Sequence, residues 1–199
     1  MLEIADNGGT PGTVANKSGS FNLQIASGAT LYWNSSASQT MGTLISMGGG
    51  VTVNKGTLTL TAANTYTGNT TLTGGTLNLG GDSSTGSISS SSALVCGGGT
   101  LSFTRTGTNT QTFASTAVKV GASVVNTTVS TDTIALNAIT RSVGGTVDFG
   151  ATGTITTTTA NTQTGILGPW ATVGGSNWAN SAGTGTVAGN ITALSSYTD

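Results

Sequence analysis

Leu58-Thr59-Leu60-Thr61-Ala62-Ala63-Asn64-Thr65-Tyr66-Thr67-Gly68-Asn69-Thr70-Thr71-Leu72-Thr73-Gly74-Gly75-Thr76-Leu77-Asn78-Leu79-Gly80 decides the fold class. Thr57-Leu58-Thr59-Leu60 and Thr76-Leu77-Asn78-Leu79 alternate strictly, so each puts two leucines on one face and hydroxyls or an amide on the other. Strands of four residues cannot stand alone and must stack on neighbours.

The same pattern runs outward from this segment. Phe21-Asn22-Leu23-Gln24-Ile25, Thr100-Leu101-Ser102-Phe103, Ala117-Val118-Lys119-Val120 and Thr146-Val147-Asp148-Phe149 alternate in the same way between Gly, Asn and Ser punctuation. A glycine opens such a run at Gly28, Gly56, Gly75, Gly99, Gly121 and Gly145, with gaps of 28, 19, 24, 22 and 24 by subtraction. A spacing near ~23 is too short for a propeller blade and fits one winding of a parallel β-helix. The reading is all-β: a parallel β-helix (β-solenoid) of roughly eight or nine coils, with aliphatic stacks inside and threonine outside. Gly and Asn are expected at corners that need positive φ. Residues 1–199 read as one segment, with the clearest repeats over 19–150 and a tryptophan-containing junction over 151–199. No amphipathic helical pattern marks either end, so uncapped ends, covered by neighbouring β-helix segments or by identical copies, are expected.

Composition agrees and excludes several classes. Of 199 residues, 42 are Thr, 32 Gly, 23 Ser and 15 Asn; only 6% are charged, and the net charge is −1. Gly, Thr, Ser and Asn in such numbers exclude a helical protein. Disorder is countered by 35% hydrophobic residues, many of them in strict alternation. Lys17, Lys55, Arg105, Lys119 and Arg141 are scattered singly, which argues against nucleic-acid binding. No run approaches the length of a membrane-spanning helix, so the chain is not expected to span a membrane itself. Met1-Leu2-Glu3-Ile4-Ala5-Asp6-Asn7 does not resemble a signal peptide.

Residues 58–80 resemble the autotransporter-associated β-strand repeat, also called the passenger-associated transport repeat. That pattern is an alternating Leu strand, Asn-Thr-Tyr-x-Gly, a Thr and an aliphatic residue, then Gly-x-Leu-x-Leu-Gly; here Ala62 replaces a usual Gly. Ala160–Ala179, with Gly168-Pro169-Trp170 at its centre, is similar to a segment found in very large bacterial surface proteins bearing these repeats, where Pro169 usually reads as Gly. The resemblance implies a right-handed parallel β-helix, exported through an outer-membrane barrel and displayed outside the cell. The single Cys96 suits that route, and its apolar setting reads as a buried thiol.

The acidic residues are Glu3, Asp6, Asp82, Asp132, Asp148 and Asp199. Asp132 and Asp148 are 16 apart, less than one winding, and are expected to point apart as solvated residues. The absence of histidine removes Ser–His and Cys–His nucleophiles. Gly80-Gly81-Asp82-Ser83-Ser84 does not continue a calcium repeat, and Gly183–Gly189 lacks the lysine of a phosphate loop. No catalytic residue, cofactor or metal is expected. The expected role is a stalk or adhesin scaffold, extracellular, with copies stacking into filaments. Two alternatives are carried. Thr57-Leu58-Thr59, Thr71-Leu72-Thr73 and Thr154-Ile155-Thr156 suggest an ice-binding face if they align. Trp170 and Trp178 suggest a stacking platform for cell-surface glycans, against the plainer role of covering a coil edge.

Overall fold

Alternating runs of this kind satisfy their backbone groups by pairing with the corresponding run one winding later. In the computed structural model, which describes residues 1–6, 22–81, 85–162 and 165–196, they do so in parallel. The first ladder joins Leu2–Ala5, Thr30–Asn34, Gly50–Val53, Thr70–Leu72, Leu94–Cys96, Thr116–Val118 and Ile139–Arg141. The second joins Ser38–Met41, Thr57–Leu60, Thr76–Leu79, Gly99–Phe103, Gly121–Thr127, Gly145–Phe149 and Ala171–Val173. A third, interrupted face contains Asn22–Gln24 paired with Leu44–Ser46, then Thr110–Thr112, Thr133–Ala135 and Thr154–Thr157. The chain is therefore an all-β parallel solenoid of about six turns among the described residues.

Register stacks like upon like. Leu58, Leu77, Leu101, Val125, Phe149 and Val173 form one inward column of the second ladder. Trp33, Val53, Leu72, Cys96 and Val118 form another on the first. All are buried. The aliphatic spine thus follows from alternation plus parallel register, since a slip of one residue would turn every side chain outward. Val120, read from sequence as inward, lies past the end of its strand and is 69% exposed. Phe21 lies outside the described residues.

Five of the six marker glycines stand at one corner, between the first and second ladders; Gly28 stands at a different corner, before Thr30–Asn34. The gap of 28 is therefore not a winding. Second-ladder registers step by 19 (Ser38 to Thr57, Thr57 to Thr76) and then by 24 from Thr76 onward. Gly75 shows why that corner needs glycine. Its φ is +59°, and a Cβ there would lie 2.7 Å from the Lys55 carbonyl carbon.

Where the third face has no continuous backbone ladder, side-chain amides bridge the windings. Asn64 Oδ1 accepts from Ile45 N–H at 2.8 Å, and its Nδ2 donates to Ala62 O and Ser87 O. Gln111 Oε1 accepts from Ile88 N–H at 3.0 Å while its Nε2 donates to Ile88 O at 3.1 Å, so this amide imitates a strand pair. Tyr66 is fully buried beside them, its hydroxyl sharing a hydrogen bond with Thr70, which shares one with Ser92. Outside, Asn34 donates to Glu3, Asn54 to Asn34 and Thr73 to Asn54, a polar row along the axis.

The final windings depart from expectation. Ala171–Val173 pairs antiparallel with Asn177–Ser181, which pairs antiparallel with Gly189–Ala193, which closes antiparallel on Thr154–Thr157. This fuses the second ladder and part of the third face into one 12-stranded sheet folded across the end of the solenoid. Ala179 and Ile191 face inward and are buried. The winding after Ile139–Arg141 is thus covered by these strands, and the described residues make about six turns, fewer than eight or nine, because this stretch leaves the helical path. No helix among the described residues is long and apolar enough to cross a membrane.

Candidate functional site

Trp170 and Trp178, eight residues apart, meet in one groove on the outer surface of the second ladder. Gly168-Pro169-Trp170-Ala171 forms a tight turn closed by Ala171 N–H to Gly168 O at 3.2 Å, with proline at the position its fixed φ favours. The absence of a side chain at Gly168 makes room for the indole of Trp170: a Cβ there would lie 2.7 Å from its Cδ1. Trp170 is half-buried against the core. Trp178 arrives from the opposite side, on the antiparallel strand opposite Thr172, and is 39% exposed.

Register places Asp148 beside Thr172, one winding back, so Asp148, Thr172 and Trp178 are successive residues across the sheet. Asp148 Oδ1 accepts from Thr172 Oγ1 at 2.7 Å and from Gly175 N–H at 2.8 Å. Gly174 and Gly175 both have positive φ in the hairpin turn that aims this N–H at the carboxylate. One carboxylate oxygen is thereby fixed, and Oδ2 takes no part in those bonds. The groove encloses about 240 Å³; Val124, Thr146 and Pro169 are among its walls, and Asp148 is the one charged residue among those lining it.

The two tryptophans were legible in the sequence as candidates; Asp148 as their partner was not. The signal was present: Asp148 and Thr172 are 24 apart, the spacing of the later windings.

The remaining candidates do not converge. Asp132 is fully buried, contrary to its reading as solvated; its Oδ1 accepts from the backbone and side chain of Asn109 and its Oδ2 has no hydrogen-bond partner. It precedes a third-face strand, whereas Asp148 faces outward from the second ladder, so the two carboxylates do not form a pair. Asp82 and Asp199 lie outside the described residues, and no group of three or more His, Cys, Asp or Glu among the described residues could hold a metal. The three Thr-x-Thr triplets lie on three different faces: 57–59 on the second ladder, 71–73 along the first, and 154–156 on the third. Burial pushes the Cys96 thiol up to about 12. No family model, curated protein or solved structure matches the chain.

Proposed function

We propose that this chain is a non-enzymatic structural segment of an extracellular, autotransporter-like protein, serving as a rigid stalk or adhesin scaffold at a bacterial cell surface. The observation that carries the reading is the pair of seven-strand parallel ladders, whose hydrogen bonds run along the solenoid axis. Seven strands at about 4.8 Å span about 30 Å. Load along that axis falls on many backbone hydrogen bonds together. The resemblance of residues 58–80 to passenger repeats supplies the location, and the same resemblance supplies a right-handed winding.

The first rung, Leu2–Ala5, pairs with Thr30–Asn34 and with no other described strand. In this reading a neighbouring β-helix segment or an identical copy stacks along the axis, while the strands Asn177–Ser181 and Gly189–Ala193 lie across one end of the solenoid. Filaments of identical copies need both ends free, so electron microscopy is expected to show short rods or pairs; long filaments would overturn this arrangement.

Export is testable directly. Placed between a signal peptide and an outer-membrane β-barrel, the segment is expected to appear on intact Gram-negative cells and to be cut by added protease. Retention in the periplasm, while a known passenger reaches the surface through the same barrel, would count against the reading. The ice-binding alternative needs aligned threonine pairs on one face, and the three-face arrangement does not favour it.

A further inference from the structure

We propose that the groove between Trp170 and Trp178 binds neutral glycan chains, one or two sugar rings at a time, with Asp148 as the hydroxyl acceptor. This goes beyond the scaffold role and does not depend on it.

Three features converge at the site. A half-exposed indole offers a flat apolar surface to the C–H face of a pyranose, and its rigidity costs little conformational entropy on binding. A carboxylate lines the same groove two strands away, across Thr172, with one oxygen held by Thr172 and Gly175, so the remaining oxygen is held in position to accept from sugar hydroxyls. The groove, at about 240 Å³, is smaller than a typical cofactor or drug site of about 300–1,000 Å³ and fits part of a chain. The charge selects among sugars. Asp148 is a negative group with no basic residue lining the groove, so an acidic sugar would bring a second carboxylate against it uncompensated.

The covering role expected for tryptophans at a coil edge is met by Trp170, which packs on the core. Trp178 lies further out, and its neighbour Ala179 fills the inward position on that strand. A large outward aromatic that shares a groove with a clamped carboxylate is what a sugar platform requires.

Titration of the intact chain with cellohexaose, N-acetylchitohexaose and mannohexaose, followed by tryptophan emission and calorimetry, tests the assignment. Trp33 is fully buried, so emission changes report on the groove pair. At least one neutral probe is expected to bind, and polygalacturonate is expected to bind at least tenfold more weakly. Trp178→Ala is expected to weaken binding about tenfold or more, which is about 1.4 kcal/mol. Trp178→Phe should recover most of that affinity. Asp148→Asn, which leaves the core untouched, should weaken binding several-fold, and it keeps the test decisive if Trp178→Ala does not fold. Gly168→Ala, by displacing the Trp170 indole, should weaken binding without altering Asp148. The proposal fails if none of the three neutral probes binds at millimolar concentration, if folded Trp178→Ala binds as tightly as the parent, or if polygalacturonate binds as well as the neutral chains.

Discussion

Asn64 and Gln111 carry more of this fold than their polarity suggests. Both are buried, and each bonds its side-chain amide across to a neighbouring winding of the third face. Truncating Gln111 to alanine would leave Ile88 N–H and C=O buried and without these bonds, at a cost of about 1–3 kcal/mol per orphaned group. Gln111→Ala is expected to lower the melting temperature by roughly 4 °C or more, on the scale of about 2–4 °C per kcal/mol. A calorimetric melt checks it, with Val143→Ala, at a position 88% exposed, as the near-neutral comparison. Cys96 supplies the pH prediction. Desolvation raises its folded pKa from 9.0 to about 12, so its contribution to stability is fully present below pH 9 and is lost as pH rises toward 12. Tyr66, fully buried, is shifted upward for the same reason and acts in the same direction from about pH 10. Denaturant melts at pH 8, 10 and 11 should show falling stability, and Cys96 should resist thiol reagents at pH 8 until the chain unfolds.

At the scale of the element, corners matter more than strands. The inward columns hold Leu, Val, Phe, Trp and Cys at successive windings, so no single apolar residue type is required there. The corner before each second-ladder strand is stricter. Gly75→Ala would combine a positive φ with a backbone collision and is expected to cost about 3 kcal/mol or more. Gly28 also has positive φ, but a Cβ there meets nothing within 4 Å, so Gly28→Ala should cost only about 1 kcal/mol. Parallel thermal melts separate the two. Sequence alone marks both positions alike.

For the whole molecule, the hairpin after Ala171–Val173 interrupts the parallel path with antiparallel strands. A bare winding would expose strand edges and the core cross-section; the strands Asn177–Ser181 and Gly189–Ala193 cover them. Ile191→Lys places a charge at a position 8% exposed and is expected to detach this cover. The variant should then self-associate with rising concentration in sedimentation experiments, with hydrogen exchange accelerated over 177–193 and little changed over 57–103. Uniform exchange throughout would show that the hairpin is not a separable cap.

The sequence by itself determined the strand class, the solenoid and most of its inward residues, Val120 excepted, because period-2 alternation and a recurring spacing of about 19 to 24 are local properties of the chain. It also singled out Trp170 and Trp178. Only the tertiary structure decided that Gly28 belongs to another corner, that Asp132 is buried, that the threonine triplets diverge and that the last strands reverse. It alone brought Asp148 to the tryptophans. Each of these depends on which winding lies against which, and that register is set by packing between residues about 20 or more apart, which a local pattern constrains only on average.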